Sequence, residues 1–352
     1  MKFSDIPHHR LKNQGISDRR FKTVKEAVAW MGAVQAQDYQ ASLWAVGLRV
    51  KNGTPKMVED ALAKGEIIRL SPMRSTIHFV AAEDARWMHA LLTPRLTNMY
   101  DARSRSRGIT PEVIKKAEKI VVKALKGGKC IQRAQLYKLF EDAGINTKDS
   151  LGLHLIGRLG QAGLVCHGPR EGSQATMVLF DEWAPKGPTY THDEAITELT
   201  LRYFSSHGPA QIKDLNWWSG LSVKDIKRGI ELNGKKLTAE EIDGKMYYYA
   251  SNQPKLKPDS SAHLLPAFDE YLVAYRDRDA ALNQLHKHHL NPGANGIFTY
   301  VIVINGQVVG NWKRTITKFG VSVTTTPFEK FSAEDEKKIQ KASGRYKKFI
   351  PA

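Results

Sequence analysis

Cysteine is nearly absent from this chain: Cys130 and Cys166 are the only two, and neither belongs to a CxxC pair. This scarcity excludes a disulfide scaffold and a zinc finger, and it favours a reducing compartment. Long apolar runs are also lacking, since no stretch approaches the roughly eighteen apolar residues of a membrane span. No apolar segment follows His8, His9 and Arg10, so a secretory signal is not predicted. We therefore expect a soluble, cytoplasmic protein without a membrane association.

Acidic residues are few relative to basic ones, with 36 Asp and Glu against 53 Lys and Arg and a net charge of +17. Such a surplus predicts an anionic partner, and nucleic acid is the commonest one for a soluble basic protein. Solubility alone can also explain a basic balance. With 352 residues, 41% of them hydrophobic, the chain is long enough for two or more compact units.

An amphipathic helix is the first clear local pattern. Thr23 is its predicted N-cap, Glu26 completes a capping box, and Gly32 is a stop signal. Its apolar face consists of Val24, Ala27, Val28 and Met31.

The tripeptide Gln35-Ala36-Gln37 follows that helix and precedes Asp38. Alternate residues of an extended segment share a face, so on a loop or strand both glutamine side chains can point the same way. A glutamine amide carries an acceptor and a donor but does not titrate, so a pair can hold a water and a sugar oxygen without removing a proton. Alternatively, the two residues cap the helix end or face solvent, and the tripeptide alone does not decide.

Three stretches share the order of a winged helix-turn-helix, in which helices are followed by a two-stranded hairpin. The clearest consists of helices at 110–127, 133–143 and 150–162 and a hairpin of 164–166 with 175–180. Residues 101–170 contain fourteen Lys and Arg against six Asp and Glu. This surplus predicts a DNA-binding face, although a solvated helix surface would have the same charges.

The other two stretches are read in the same way. One begins with a capping box from Thr191 to Glu194, continues with helices predicted to start at Pro209 and Ser222, and ends in a hairpin around Asp243-Gly244. The N-terminal stretch is less regular and comprises helix 23–32, the glutamine loop, a helix from Thr54 to Lys64, and strands 67–70 and 74–80.

Strands dominate from about Ala262, after a predicted linker at 251–261. Asn305-Gly306, between strands at 298–304 and 307–312, is the strongest hairpin signal of the chain. A further strand is predicted at 319–325, and Ser332 caps a short helix. The predicted fold is therefore α+β, with tandem winged-helix modules at 1–100, 101–188 and 189–252 and a β-rich domain at 262–352.

Taken together, these features resemble the AlkZ-like winged-helix DNA glycosylases, which repair bulky alkylated DNA. The stretches that carry the resemblance span nearly the whole chain in order, and they are Val34-Gln35-Ala36-Gln37-Asp38, Arg74-Ser75-Thr76-Ile77-His78-Phe79-Val80, Leu264-Leu265-Pro266-Ala267-Phe268-Asp269-Glu270-Tyr271, Asn295-Gly296-Ile297-Phe298 and Val308-Val309-Gly310-Asn311-Trp312. Many relatives have Gly where this chain has Ser75.

The resemblance implies that the tandem winged helices form a concave basic surface for duplex DNA, with Gln35 and Gln37 as catalytic residues at its base. Because the last motif position is Gln37 and not Asp, the chain resembles the branch linked to resistance against crosslinking natural products. The implied reaction is monofunctional hydrolysis of the N-glycosidic bond of N7-alkylated purines. The same reaction could also unhook interstrand crosslinks. Such a base carries positive charge, leaves as a neutral molecule and needs little general-acid help.

Further residues are candidates for supporting roles. Asp38 and His78 are possible assisting residues, although an Asp after a helix is more often a cap, and a lone His between Ile77 and Phe79 is more often part of a core. Asp269 and Glu270 are expected to form salt bridges with Arg276 and Arg278. Candidate DNA contacts are Arg74, Arg103, Arg105, Arg107, Lys313 and Arg314.

No metal or other cofactor is predicted. His286, His288 and His289 lack matching Cys or carboxylate spacing, which disfavours a metal site. Trp44, Trp217 and Trp218 are read as core residues. The expected partner is double-stranded DNA with alkylated purines, and a monomer is favoured. The alternative function is a winged-helix transcription regulator without catalysis, which would fit the basic charge and the modules equally well.

Overall fold

The computed structural model describes residues 1–253, 256–293, 296–318 and 320–350. Within it the chain divides into two compact units: Met1–Val58 with Ile196–Ala352 form unit 1, and Glu59–Ala195 form unit 2. The finer division into modules at 1–100, 101–188, 189–252 and 262–352 stays a prediction.

The α-helices are α1 (Ile6–Asn13), α2 (Val24–Met31), α3 (Tyr39–Gly47), α4 (Pro55–Ala63), α5 (Ala85–Leu92), α6 (Pro94–Ser106), α7 (Pro111–Leu125), α8 (Arg133–Asp142), α9 (Leu151–Gln161), α10 (Phe180–Trp183), α11 (His192–Ser206), α12 (Ile212–Ser219), α13 (Val223–Asn233), α14 (Glu270–Val273) and α15 (Ala333–Phe349). The strands are β1 (Val34–Gln35), β2 (Ile67–Met73), β3 (Thr76–Ala81), β4 (Ile131–Gln132), β5 (Val165–His167), β6 (Thr176–Leu179), β7 (Leu237–Ile242), β8 (Lys245–Ala250), β9 (Ala262–Leu265), β10 (Val301–Ile304), β11 (Gln307–Thr317) and β12 (Gly320–Pro327). This mixture of helices and antiparallel strands confirms the mixed architecture expected from the sequence.

Helix α2 of unit 1 has the predicted termini. The Thr23 side chain accepts the Glu26 backbone N–H, the Glu26 carboxylate accepts the Thr23 N–H, and Gly32 ends the helix at a φ of 75°. Its predicted apolar face is buried. Helix α3 escaped sequence analysis because Ala41 through Gly47 are all buried, so no polar side gives it an amphipathic period.

A β-sheet of unit 1 has the strand order β12-β11-β10-β9, with β10 and β11 joined at Asn305-Gly306. Both turn residues have positive φ, 50° and 74°, which the predicted tight hairpin requires. Strand β12 begins at Gly320, and Phe319, the predicted start of that strand, lies outside the described residues. Asn295, a residue of one matched stretch, also lies outside them.

Unit 2 contains an antiparallel sheet with β3, β2, β5, β6 and β4 in that order. Helix α7 begins as predicted, because the Thr110 side chain accepts the Val113 N–H. Ala117, Val121 and Leu125 of its apolar face are completely buried in one core with residues of α8, α9 and β6. The predicted hairpin after α9 is confirmed as β5 and β6.

Pro209 does not start a helix, which corrects the sequence prediction. Its neighbour Ala210 exchanges two backbone hydrogen bonds with Tyr248 of β8, and the Arg10 side chain binds the Pro209 carbonyl at 3.0 Å. These contacts hold the segment in an extended form, and helix α12 begins only at Ile212. A capping box of Gln211 and Asp214 precedes it.

The C-terminal helix is longer than the short helix predicted after Ser332. Helix α15 runs from Ala333 to Phe349, so it is seventeen residues long. Its aromatic residues Tyr346 and Phe349 pack against Trp44, with ring centroids 5.2 and 4.8 Å apart. This tertiary packing stabilises turns that the local sequence does not mark.

Candidate active site

The glutamine loop joins β1 to α3 in unit 1. Gln35 ends β1, Ala36 is completely buried, Gln37 is exposed, and Asp38 is the N-cap of α3. The prediction that this segment is a strand and loop is therefore confirmed. Gln35 is only 8% exposed, so the two glutamines differ in their access to solvent.

The buried carboxylate of Glu270 holds the backbone of the glutamine loop. Its Oε1 accepts the Gln35 backbone N–H at 2.8 Å, and its Oε2 accepts the Trp218 indole N–H at 3.0 Å. His207 Nε2 lies 3.9 Å from Oε2. Burial, together with the positive charges of Arg49 and Arg10, lowers the pKa of His207 to about 3, so this imidazole is neutral at pH 7. The carboxylate is thus committed to fixing the backbone at Gln35.

Asp269, the residue before Glu270, forms a buried ion pair with Arg49. The two guanidinium nitrogens donate to the two carboxylate oxygens at 2.8 Å each, and the Gln14 side chain accepts a further bond from Arg49. Asp269 also caps α14 by accepting the Tyr271 N–H. The pair links the C-terminal end of α3 to the segment that carries Glu270.

The predicted partners of Asp269 were wrong, because Arg49 binds both of its carboxylate oxygens, whereas the predicted ion pairing of Glu270 stays a prediction. The backbone N–H of Arg276 bonds instead to Asp214, and the Arg278 Nε donates to the Leu272 carbonyl. The sequence gives no local sign of the Arg49 partner, which is 220 residues away in the chain.

Asp38 acts as the cap that its position suggested. Its Oδ1 accepts the Ala41 N–H at 3.0 Å, and its Oδ2 accepts the Tyr300 hydroxyl at 3.4 Å. Burial and then the Asp38 charge raise the pKa of Tyr300 to about 12, so the phenol remains protonated. Both carboxylate oxygens therefore have donors within unit 1, which supports the capping reading over a role as a base.

Arg314, a predicted DNA contact, lies beside this group. Its guanidinium carbon is 5.6 Å from the Tyr300 ring centroid, and its Nη1 donates to the Tyr346 hydroxyl at 2.7 Å. Arg314 is half-buried, whereas its neighbour Lys313 is exposed. Arg314 and Asp38, the N-cap of α3, thus both contact Tyr300, so the positive charge of Arg314 lies near the Asp38 carboxylate.

The side-chain amide of Gln35 makes no hydrogen bond among the described residues, since its recorded bond is the backbone N–H to Glu270. The amide oxygen and nitrogen are not among the buried side-chain atoms that lack a partner, so the amide reaches solvent although the residue as a whole is only 8% exposed. Its backbone is fixed while its amide remains available. This arrangement suits a group that binds a water or a substrate oxygen.

His78 and Arg74 belong to unit 2. His78 is completely buried, its Nδ1 lies 2.9 Å from the Thr76 carbonyl, and burial, followed by the Arg74 charge, lowers its pKa to about 3. These observations support the reading of His78 as a neutral core residue better than its reading as a residue that assists catalysis. Arg74 and Ser75 both have left-handed φ, 52° and 59°, in the turn between β2 and β3, a conformation that glycine adopts without strain.

The other predicted DNA contacts are exposed. Arg103 and Arg105 lie on α6, and Arg107 is its C-cap. Burial, and then the charges of Arg107 and Arg103, lower the pKa of the nearby His154. Exposed cations at the end of one helix are available to an anion.

The aromatic and histidine predictions have mixed outcomes. Trp44 and Trp218 are buried as predicted, but Trp217 is 39% exposed and donates to the Val273 carbonyl. His289 stacks on Phe328 at 4.5 Å, and His286 Nε2 lies 3.2 Å from Glu329. Within the described ranges, no group of three or more His, Cys, Asp or Glu side chains is arranged to hold a metal ion. None of the helices in those ranges is long and apolar enough to cross a membrane.

The family model described as DNA glycosylase AlkZ-like matches residues 28–349, a range that includes the glutamine loop, Glu270 and Arg314. The chain belongs to the AlkZ-like DNA glycosylase family. The resemblance and the enzyme class expected from the sequence are thereby confirmed, and DNA is the substrate that membership of this family implies. The regulator alternative gains no support.

Two relatives illustrate the AlkZ-like family. The interstrand DNA cross-link repair glycosylase of Streptomyces sahachiroi is 23% identical over 318 residues, which cover 86% of this chain and 85% of that protein. The solved structure of the DNA glycosylase AlkZ from Streptomyces sahachiroi has a TM-score of 0.81 at 22% identity, covering 99% of this chain and 96% of that one. At this identity, the structural likeness establishes the fold.

Sequence reasoning missed Glu270 as the support of the glutamine loop, and it missed Tyr300 as the partner of Asp38. The only signal for Glu270 was its place in the stretch Leu264 to Tyr271, which carried part of the resemblance. For Tyr300 there was none, because an isolated tyrosine before a strand has no distinctive spacing.

Proposed function

We propose that this protein is a monofunctional DNA glycosylase that hydrolyses the N-glycosidic bond of N7-alkylated purines in duplex DNA. The observation that carries the proposal is the glutamine loop, in which Glu270 fixes the backbone of Gln35 while the side-chain amide stays available. The predicted reaction needs this kind of group, a neutral acceptor and donor held in a fixed place.

The chemistry requires little proton transfer to the leaving group. An N7-alkylated purine carries positive charge, which disappears as the bond to the sugar breaks, so the base departs as a neutral molecule. The sugar meanwhile gains oxocarbenium character, which a fixed carbonyl dipole near C1′ stabilises. The remaining requirement is a water on the opposite side of the sugar, oriented by a hydrogen-bond acceptor.

We assign Gln35 and Gln37 to these two tasks. Gln37 is exposed and accessible to a sugar bound at the surface, so its carbonyl is the group we place near C1′. Gln35 is nearly buried, and its amide would orient the attacking water. Asp38, whose oxygens have donors from Ala41 and Tyr300, contributes negative charge rather than proton abstraction.

We propose further that the helices and hairpins form tandem winged helices that bind duplex DNA through a basic concave surface. Support comes from α7, α8, α9 and the β5–β6 hairpin, and from α11, α12, α13 and the β7–β8 hairpin, each in the order of a winged helix. Arg74, Arg103, Arg105, Arg107, Lys313 and Arg314 are the proposed contacts. Phosphate contacts of this kind make affinity fall steeply as salt rises.

Unhooking of interstrand crosslinks is part of the proposal, since the relative of Streptomyces sahachiroi is named for that repair. The expected active form is a monomer, which sedimentation at micromolar concentration would check.

The decisive experiment uses a duplex with one N7-methylguanine, followed by alkaline cleavage of the abasic product. Wild type should release the base, and Gln37→Ala and Gln35→Ala should lower the single-turnover rate by about 10²-fold, the usual loss for an electrostatic stabiliser of a transition state. Gln40→Ala is the matched control, an exposed glutamine three residues from Gln37, and should retain the wild-type rate. Equal rates for Gln37→Ala and wild type would refute the assignment.

A duplex with an N7–N7 interstrand crosslink forms the second arm, in which separation of the strands on a denaturing gel reports unhooking. Release of methylguanine without strand separation would restrict the activity to monoadducts. An absence of abasic sites with tight binding to one preferred sequence would favour the regulator instead.

A further inference from the structure

A cavity of unit 1 lies at the C-terminal end of α3, the end opposite the glutamine loop. Its volume is about 250 Å³, and its walls include Gly47, Leu48 and the loop from Asn52 to Thr54. Trp44 and Phe349 form an aromatic side of the cavity, with ring centroids 4.8 Å apart. Gly53 approaches the Gly47 carbonyl so closely that a Cβ there would clash, which shapes this wall.

Three basic side chains line the same cavity: Arg19, Arg345 and Lys348. Within the described part of the chain, neither the Arg19 nor the Arg345 side chain makes a hydrogen bond or an ion pair. Burial and then the charge of Arg19 lower the pKa of Arg345 to about 10. The two guanidinium groups therefore repel each other across a shared space.

One acidic residue offsets part of this charge from outside the cavity. Asp259 raises the pKa of Arg345, but its effect is smaller than that of Arg19, which lowers it. The walls of the cavity include Arg19, Arg345 and Lys348 and no acidic side chain among the described residues. Positive charge therefore prevails in the cavity.

Helix capping explains only part of this arrangement. Arg345 and Lys348 lie near the C-terminal end of α15, where positive charge interacts favourably with the helix dipole. Arg19 is outside any helix and has a left-handed φ of 46°, a conformation that costs a non-glycine residue free energy. Capping of α15 therefore does not explain why Arg19 adopts a strained backbone conformation that places its guanidinium in the same cavity as that of Arg345.

We infer that this cavity binds a phosphate group between Arg19 and Arg345, with Lys348 at its exposed edge. Guanidinium groups match phosphate oxygens with paired N–H donors, and two of them can bind one phosphate from two sides. The cavity has room for a phosphate and an attached sugar. The phosphate can belong to a DNA backbone, in which case the inference rests on the proposed DNA-binding function, or to a free nucleotide or inorganic phosphate.

The first experiment needs no DNA and measures the thermal midpoint Tm in phosphate-free buffer at low ionic strength. The Arg345→Gln substitution should raise Tm by about 2 °C, because it removes the repulsion from Arg19, whereas loss of a helix cap would lower Tm. Inorganic phosphate should raise the Tm of wild type, compared with chloride at equal ionic strength, and leave the Tm of Arg345→Gln unchanged. Arg345→Lys keeps the charge and should keep part of the response.

Arg228→Gln is the matched control, since Arg228 is an exposed arginine of unit 1 that pairs with Glu231 on one helix. Its response to phosphate should equal that of wild type. A lower Tm for Arg345→Gln, together with a phosphate response equal to wild type, would overturn the inference.

The second experiment distinguishes the source of the phosphate by measuring binding of undamaged duplex against salt. If the cavity takes a backbone phosphate, the double variant Arg19→Gln/Arg345→Gln should reduce the log–log salt slope by about 0.9, the value for one phosphate. An unchanged slope with a lost phosphate response assigns the cavity to free phosphate or a nucleotide. Base release is not a readout in either experiment, so failure of the proposed glycosylase activity would not be confused with failure of this inference.

Discussion

The support of Gln35 by Glu270 gives the sharpest prediction. Glu270→Gln keeps the size of the side chain but replaces one oxygen by an NH₂ group. Because both oxygens accept N–H donors, from Gln35 at 2.8 Å and Trp218 at 3.0 Å, one donor must then face another donor. Loss of one hydrogen bond to a charged group costs about 1.5–3 kcal/mol, and an unsatisfied buried N–H adds to this.

We therefore expect Glu270→Gln to lower the free energy of unfolding by about 2–4 kcal/mol, measured by urea denaturation. It should also lower the single-turnover rate on N7-methylguanine DNA by up to about 10²-fold, since a displacement of about 1 Å at a catalytic group has that effect. Glu241→Gln, an exposed glutamate of the same unit, is the control and should change neither quantity.

A double-mutant cycle separates the two hydrogen bonds. Trp218→Phe removes the indole donor, so the new NH₂ group of Glu270→Gln can turn toward the vacated side while its oxygen accepts from Gln35. In that background the effect of Glu270→Gln on the rate should become smaller. If Glu270→Gln has wild-type stability and rate when Trp218 is intact, the proposed role of Glu270 in the glutamine loop is refuted.

The other predictions concern residues around the loop. Arg49→Met should lower the free energy of unfolding by about 3–5 kcal/mol in urea, because Asp269 is left buried and unpaired; a loss below about 1 kcal/mol would contradict this. His207 and His78 have pKa values lowered to about 3, so their contribution to stability is complete above pH 6.5 and lost as pH falls, by up to about 1.4 kcal/mol per pH unit for each. Unfolding midpoints between pH 7 and pH 4.5 test this, and His207→Gln should make the profile flatter. Asp38→Asn keeps an acceptor for the cap and should retain most of the base-release rate, whereas Asp38→Ala should lose about 1 kcal/mol of stability; inactivation by Asp38→Asn would show that the charge itself is required.

Local sequence determined several elements because their signals lie within a few residues of one another. The capping box of Thr23 and Glu26 and the stop at Gly32 define α2. The pair Asn305-Gly306 defines a hairpin through its positive φ angles. The position of Gln35 and Gln37 just after a helix end allowed an extended segment, and the family resemblance then marked them as the candidate catalytic residues without coordinates.

Other features depended on contacts that local patterns do not contain. Pro209 would be a suitable helix start, but pairing of Ala210 with β8 keeps that segment extended. Helix α3 is buried on all sides from Ala41 to Gly47 and therefore has no amphipathic pattern. Both cases show tertiary packing prevailing over local preference.

The sequence by itself determined the charge and the glutamine pair, which are properties of composition or of neighbouring residues, and it indicated the family through stretches that occur in order along the chain. Only the tertiary structure decided which groups hold that pair in place: Glu270 binds Gln35 across 235 positions, and Arg49 binds Asp269 across 220. Folding brings such partners together through the burial of many side chains at once. A buried carboxylate can then be stabilised only by the donors that the whole core places around it.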